Sequence, residues 1–149
     1  MSSAYVATVT WTAAAEEHRS GRYSRAHEWR FDGGATVRAS SAAPVPGSDP
    51  AAVDPEEALI AALSSCHMLF FLAIARKRGL TVVRYEDQVE GAMTPNDKGK
   101  LYISTITLRP QATFDGPADP ALVAEIHHAA HEECYIAHSI RADVIIQTR

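Results

Sequence analysis

Cysteine, aromatic residues and net charge are all scarce in this sequence. Two cysteines in 149 residues are too few for the disulfide framework of a small secreted domain, so both are expected to be free thiols. The formal net charge of −4, with no basic run outside one helix end, argues against a protein that follows nucleic-acid phosphates. Repeats and linker-like tracts are absent from the sequence. We therefore expect one domain over residues 1–149, with a core that needs no metal or disulfide support.

The N-terminal residues do not read as an export signal, because no charged segment there precedes an apolar stretch and a small-residue cleavage site. We therefore expect a cytoplasmic protein. The longest apolar stretch, within residues 54–79, is interrupted by Ser64, Ser65, Cys66 and His67. This pattern favours a buried helix over a membrane span.

Residues 54–79 predict one long helix with both ends marked. Asp54 can cap the first turn, Pro55 suits the first helical position, and Gly79 can adopt the left-handed conformation that ends a helix. Apolar residues occur on every face of this segment, so we expect protein to cover it nearly all round. One small chain has too little sheet to cover a helix about 36 Å long. We therefore expect a homodimer in which two such helices are enclosed by shared sheet.

Alternating apolar and polar residues predict strands on both sides of the long helix. Asp32-Gly33-Gly34 is a hairpin signal, and Pro110 implies an edge position or a bulge. Asp119 can cap a second helix that runs to about Glu133. The predicted strands are residues 5–12, 22–31, 35–41, 80–93, 101–114 and 141–148, and residues 13–21 are predicted as a loop or short turn. Together these elements predict an α+β fold with mostly antiparallel sheets.

Cys66 is the chemically reactive residue within the apolar helix. Most free cysteines are simply small buried residues, and this alternative stays open for both Cys66 and Cys134, which are 68 residues apart. A buried thiol becomes a nucleophile only if a fixed cation lies nearby. Arg25 is the better candidate for that cation and Arg22 the second, because Arg25 shares a strand face with aromatic residues.

Glu56 could anchor such an arginine, or it could simply match the helix dipole, a role that Glu57 fills equally well. The ten residues between Glu56 and Cys66 span about 15 Å of helix. The two side chains cannot meet on one straight helix, but two antiparallel helices could bring them together. An active site shared between subunits follows as a hypothesis.

A zinc site is a further alternative. His127, His131 and Cys134 share one helical face, and Cys66 could be a fourth ligand. No second pair of ligands is visible in the sequence, so the signal is weak. His67 points about 100° away from Cys66 on a helix and is predicted to be a packed or hydrogen-bonded core histidine.

Four segments of the chain resemble the OsmC/Ohr family of thiol-dependent hydroperoxide reductases: Asp54–His67, His131–Ile140, Ser24–Gly34 and Val82–Gly91. The resemblance implies a swapped, intertwined homodimer with long central helices wrapped by two sheets. It also implies that Cys66 is the peroxidatic cysteine, Cys134 the resolving cysteine and Glu56 the motif glutamate. Arg25 matches the family arginine, with Arg22 and Arg19 as competitors in a stretch whose length differs from the family's.

The function implied by this resemblance is reduction of organic hydroperoxides, and of hydrogen peroxide as a lesser substrate, without a metal or cofactor. The cysteine pair would be reset by a dithiol such as a lipoylated protein. Leu63, Met68, Leu69 and Phe70 are expected to form an apolar wall that favours organic peroxides. Nucleic acid and membrane are not expected partners. The alternative is a non-enzymatic dimeric protein that binds a small ligand and has buried structural cysteines.

Overall fold

The computed structural model describes residues 4–148, which form three α-helices and eight strands. Their order confirms the predicted α+β class. The elements are β1 (Ala7–Thr10), α1 (Ala15–Arg19), β2 (His27–Phe31), β3 (Thr36–Ala39), α2 (Pro55–Lys77), β4 (Val82–Asp87), β5 (Glu90–Pro95), β6 (Leu101–Leu108), β7 (Pro110–Phe114), α3 (Pro120–Glu133) and β8 (Asp143–Ile146). The chain divides into an N-terminal unit, Met1–Ala58, and a C-terminal unit, Leu59–Arg149.

The N-terminal unit is a three-stranded antiparallel sheet in the order β1-β2-β3. Its hairpin turn at Asp32-Gly33-Gly34 is confirmed, because the Phe31 amide donates to Ala35 O at 2.9 Å across the turn. Two predictions were wrong here. Residues 15–19 form a short helix where a loop or turn was predicted, and β2 begins only at His27, so Arg25 precedes the strand.

The C-terminal unit contains a β4-β7 sheet and a β5-β6-β8 sheet, antiparallel except for the β6-β8 pair. The predicted strands 80–93 and 101–114 are each split in two. The breaks fall at residues 88–89 and at Arg109, where each strand leaves one sheet and enters the other. Pro110 opens β7, which pairs only with β4, so its predicted edge position is confirmed.

Both predicted ends of α2 are confirmed. Asp54 Oδ1 accepts from the Glu57 amide at 2.7 Å, and Glu57 Oε2 accepts from the Asp54 amide at 3.2 Å, which is a reciprocal capping box. At the other end Gly79 has φ +85°, and the Leu80 amide reaches back to Ala75 O at 2.9 Å. This bond pattern is that of a helix ended by a left-handed glycine.

The expectation that α2 is covered on all sides is not met within one chain. Only one stripe is buried, formed by Leu63, His67, Phe71 and Ala75. Another stripe is exposed, formed by Leu59, Ala62, Ser65, Leu69 and Ala73. The helix has a mean hydropathy of 2.1 over 18 residues, so by length and composition it could also cross a membrane, a criterion that core helices meet as well.

Candidate active site

The C-terminal unit brings the two cysteines together. Cys134 is fully buried in a cluster with Leu63, Ile106 and Leu108, and Cys66 packs against that cluster while partly exposed. Both are free thiols, and the Cys66 thiol lies near enough to act directly on the ionisation of Cys134. Two residues that are 68 positions apart in the sequence therefore form one pair of sulfurs.

The end of α3 sets the position of Cys134. This residue is the C-cap of the helix, where the backbone turns extended at φ −69° and ψ 110°. Its amide donates to His131 O at 3.3 Å, and a short 3-10 turn at Ala137–Ser139 follows. The Ala137 amide donates to Cys134 Sγ at 3.4 Å. The thiol is thus held by its own local turn against the middle of α2.

The two thiols differ in their electrostatic surroundings. Burial raises the pKa of Cys134 to about 11, the amide of Ala137 opposes this shift, and the neighbouring Cys66 thiol adds to it. Cys134 therefore stays protonated at neutral pH. Cys66 is only partly buried, so it is the more accessible residue of the two. The pair is asymmetric, with one partly exposed cysteine and one buried thiol.

A partly buried polar contact that the sequence did not predict fixes α2 near Cys66. Ser64 Oγ donates to Asp87 Oδ2 at 2.5 Å, and the amide of Arg109 donates to Asp87 Oδ1 at 2.6 Å. Asp87 is the last residue of β4, and Arg109 lies at the break between β6 and β7. One carboxylate therefore joins the helix to both strand corners. In the sequence, the only sign of this contact was the group of polar residues, 64–67, within the apolar helix.

His67 is confirmed as a core histidine. It is 1% exposed, and its Nε2 lies 3.0 Å from Nδ1 of His127. The hydrogen-bond partner of His127 is therefore a histidine, whereas Cys134 lies beside Cys66. Among residues 4–148, no group of three or more His, Cys, Asp or Glu side chains is arranged to hold a metal ion, so the geometry gives the zinc alternative no support.

Arg25 is held firmly within the N-terminal unit. Its amide donates to Gly47 O at 2.9 Å, its Nε donates to Pro46 O at 2.8 Å, and its guanidinium carbon lies 4.8 Å from the centre of the Tyr23 ring. Of its competitors, Arg19 forms an exposed ion pair with Glu16. Among the contacts of residues 4–148, Arg25 is the one of these three arginines held by both backbone and aromatic contacts.

Glu56 and Glu57 have different surroundings at the start of α2. Glu57 is engaged in the capping box with Asp54. Glu56 is exposed and takes no part in that box. The capping role that either glutamate could have filled therefore belongs to Glu57, which leaves the carboxylate of Glu56 available for another role.

The structure brings together only part of the predicted site. Cys66 and Cys134 belong to the C-terminal unit, whereas Arg25 and Glu56 belong to the N-terminal unit. The grouping of all four residues into one site stays a prediction. Of the expected apolar wall, Leu63 is buried beside Cys134 and Phe70 is partly buried against the same cluster. Leu69 is 60% exposed on the open stripe of α2, so its place in that wall stays a prediction.

Comparisons with known proteins agree on one family. Residues 47–149 match the OsmC-like protein family. An OsmC-like protein of unknown function from Vibrio cholerae is 44% identical, with a TM-score of 0.93 over 99% of this chain and 100% of that one. An organic hydroperoxide resistance protein from Legionella pneumophila is 16% identical, with a TM-score of 0.69 over 98% and 95% of the two chains.

A third solved structure, the organic hydroperoxide resistance protein OhrB of Bacillus subtilis, is 19% identical, with a TM-score of 0.64 over 97% and 96% of the chains. At such low identities these last two likenesses establish a shared fold. A comparison with curated protein sequences found no match.

Proposed function

Because this chain belongs to the OsmC-like family, we propose that it is a thiol-dependent peroxidase that reduces organic hydroperoxides through Cys66 and Cys134. The observation that carries the proposal is the contact between a partly exposed Cys66 and a buried, protonated Cys134. The names of the Legionella and Bacillus relatives, organic hydroperoxide resistance proteins, point to the same substrate class.

In the first step the thiolate of Cys66 attacks the peroxide. A sulfur–oxygen bond forms, the oxygen–oxygen bond breaks, and the departing alkoxide takes a proton and leaves as an alcohol. Cys66 is thereby oxidised by two electrons to a sulfenic acid. Arg25 would stabilise the thiolate and orient the peroxide oxygens, since its guanidinium offers a planar set of donors, and Glu56 would hold Arg25 in place.

In the second step the sulfur of Cys134 attacks the sulfenic sulfur of Cys66. A disulfide forms, the Cys134 proton joins the departing hydroxide, and water leaves. The raised pKa of Cys134, caused by burial, suits this order, because the thiol stays protonated until its neighbour is oxidised. An external dithiol then reduces the disulfide and returns two electrons; a lipoylated protein is the reductant that the family resemblance suggests.

We also propose that the protein acts as a homodimer in the cytoplasm. The exposed apolar stripe of α2 would need a cover in water, and the N-terminal unit likewise carries exposed Tyr5, Val9 and Trp11. A second copy that contributes its own α2 and sheet would bury these surfaces, in the intertwined arrangement that the family resemblance implies. Sedimentation of the purified protein tests this step, and a monomer that sediments without detergent would contradict it.

The decisive experiment measures consumption of cumene hydroperoxide with dihydrolipoamide as the reductant. The wild type should turn over repeatedly, and Cys66→Ser should lose turnover. Activity that survives Cys66→Ser would remove this residue from the reaction. The alternative, a non-enzymatic binding protein with structural cysteines, requires that the wild type itself consume no peroxide.

The role of Arg25 has a matched control in Arg22. Arg25→Gln should lower kcat/KM at least tenfold, because it removes a fixed cation from the reaction. Arg22→Gln removes the same charge from an exposed position three residues away and should leave the activity near that of the wild type. The reverse result would transfer the catalytic role to Arg22.

A further inference from the structure

The C-terminal unit contains a cavity of about 650 Å³ beside β7, a volume in the range of small-molecule sites. All five residues of β7, Pro110–Phe114, line it. Because neighbouring strand residues face opposite sides of a sheet, a cavity that touches every residue of a strand runs along its edge. The opposite wall is one side of α3, formed by Val123, Ala124 and His127. The cavity is therefore a slot between the edge of a strand and a helix.

The edge of β7 that faces the slot has no strand partner. In residues 4–148, β7 pairs with β4 alone. The Asp115 amide donates toward β4, to Thr81 O at 2.8 Å. Alternation along the strand therefore directs the amides and carbonyls of Ala112 and Phe114 away from β4. These backbone groups give the slot both hydrogen-bond donors and acceptors.

His127 adds a side-chain donor to the slot. It is 3% exposed, its Nδ1 lies 3.0 Å from Nε2 of His67, and its Nε2 has no side-chain hydrogen-bond partner among residues 4–148. The other ring nitrogen of His67, Nδ1, is buried without a partner. In proteins a buried N–H is left without a partner less often than a buried acceptor is, so the shared proton belongs on Nε2 of His67. The proton of the neutral His127 ring then lies on Nε2, the free nitrogen of a residue that lines the slot.

The lining of the slot carries no charge. Among the described residues, no aspartate, glutamate, lysine or arginine lines it. Burial lowers the pKa of His127 to about 4, and His67 contributes to this shift, so the His127 ring is neutral at pH 7. An ionised ligand would lose its water here without gaining an opposite charge. A neutral amide, by contrast, matches the donors and acceptors of the slot, and an apolar group on it would contact Phe114 and Val123.

We propose that this slot binds a small uncharged peptide-like amide, with its backbone along β7, a carbonyl oxygen on Nε2 of His127 and an apolar side chain against Phe114 and Val123. Main-chain bonds to an open strand edge supply the affinity, and the apolar contacts supply the selectivity. The five residues of β7 span about 17 Å, which is enough for a dipeptide capped at both ends.

The site goes beyond the proposed peroxidase, because it requires neither the cysteine pair nor Arg25 and Glu56, and no redox step. It is also separate from the surfaces assigned to the second copy. The slot shares no residue with the exposed stripe of α2 or with the exposed side chains of the N-terminal unit. A dimer formed through those surfaces therefore retains the slot.

NMR titration with three probes tests the site: N-acetyl-leucyl-leucinamide, the free acid N-acetyl-leucyl-leucine, and N-acetyl-glycyl-glycinamide. The leucine amide should bind one per chain and shift the backbone amide signals of Ala112 and Phe114. It should bind at least about tenfold more tightly than the acid, which is charged, and than the glycine amide, which lacks apolar side chains. Equal affinity for the leucine amide and either other probe, no binding of any probe, or shifts confined to residues outside the slot would overturn the proposal.

Two variants and one control locate the ligand. His127→Phe keeps a ring that can stack on Phe71 but removes the donor, so it should weaken binding of the leucine amide about tenfold. Ala124→Leu fills the slot from an exposed position of α3 and should abolish binding. Ala121→Leu makes the same change at an exposed position of α3 that does not line the slot and should bind as the wild type does.

The alanine pair decides the question even if His127→Phe does not fold, because both substitutions are on the surface of a helix that tolerates leucine. Unchanged affinity in Ala124→Leu, or equal losses in Ala124→Leu and Ala121→Leu, would overturn the proposal. Cys66→Ser should bind the leucine amide as the wild type does. Failure of the peroxidase and failure of this site are therefore distinguishable.

Discussion

The rings of His67 and His127 lie edge to edge and within 2° of parallel, with Nε2 of His67 3.0 Å from Nδ1 of His127. Both residues are buried, at 1% and 3% exposure. Phe71 stacks on His127, with the two ring centres 4.2 Å apart. One ring nitrogen must donate and the other accept, so the contact requires at least one neutral histidine.

This pair should make the protein sensitive to acid. The pKa of each histidine is lowered from 6.5 to about 4, chiefly by burial. The neighbouring His131 contributes to this shift at His67 and Asp87 opposes it, while His67 contributes to the shift at His127. Between pH 6.5 and 4 the unfolded chain therefore binds more protons than the folded one. The stabilisation that comes from keeping these two histidines neutral is complete above pH 6.5 and is lost as the pH falls toward 4. Melting temperatures measured across this range should fall by several degrees.

The control for the acid prediction is His67→Gln, which keeps a hydrogen-bonding side chain but cannot titrate. The variant should melt lower at pH 7, yet its melting temperature should depend less on pH between 6.5 and 4. A pH dependence as steep as that of the wild type would place the acid sensitivity elsewhere in the chain.

The first turn of α2 offers a matched pair of glutamates. Glu57→Ala should lower the free energy of unfolding by about 1 kcal/mol, because it removes one half of the capping box with Asp54. Glu56→Ala should leave stability nearly unchanged and, under the proposed mechanism, lower peroxidase activity. Urea unfolding and peroxide consumption on the same samples check both statements. Similar effects of the two variants on stability would contradict the division of roles.

Much of the fold could be predicted because its signals are local. The caps at Asp54 and Asp119, the stop at Gly79 and the hairpin at Asp32 each act within a few residues, and the structure has all four. The resemblance to the OsmC/Ohr family, carried by short motifs, was confirmed as well. The strand breaks were not predictable from alternation of residue types. The hydrogen bond between Asp87 and Arg109 joins the two break regions, and it links segments that are distant in the sequence.

The Asp87 contact can be tested directly. Asp87→Ala should lower the free energy of unfolding by about 1–3 kcal/mol, because it leaves the Ser64 hydroxyl and the Arg109 amide without their partner. The neighbouring Glu86→Ala removes a carboxylate that pairs with Arg84 on the surface and should cost less than about 1 kcal/mol. Denaturant unfolding of both variants measures the difference. Equal losses would mean that Asp87 does not join helix and strands as the geometry indicates.

The asymmetry of the cysteine pair predicts the behaviour of Cys134→Ser. Cys66 keeps its accessible thiol in this variant, so one equivalent of peroxide should be consumed and a sulfenic acid should form. Without Cys134 no disulfide follows, and excess peroxide should drive Cys66 to sulfinic acid. Mass spectrometry of the intact chain should show gains of one and then two oxygen atoms. Sustained turnover in Cys134→Ser would show that another thiol resolves the intermediate.

Gly47 and Gly21 form the last matched pair. Both have positive φ, +81° and +76°, but a Cβ on Gly47 would lie 2.5 Å from Tyr23 O, whereas nothing lies within 4 Å of one on Gly21. Gly47→Ala and Gly21→Ala should each cost about 1 kcal/mol from the left-handed backbone. Only Gly47→Ala should also push residues 46–47 away from Tyr23.

That displacement would act on Arg25, because Gly47 O and Pro46 O accept its amide and its Nε. Gly47→Ala should therefore lower kcat/KM for cumene hydroperoxide toward the level of Arg25→Gln, while Gly21→Ala should react as the wild type does. Steady-state kinetics at a temperature where both variants are folded make the comparison independent of stability. An unchanged kcat/KM in Gly47→Ala would mean that Arg25 does not depend on these backbone contacts, since nothing else separates the two glycines so clearly.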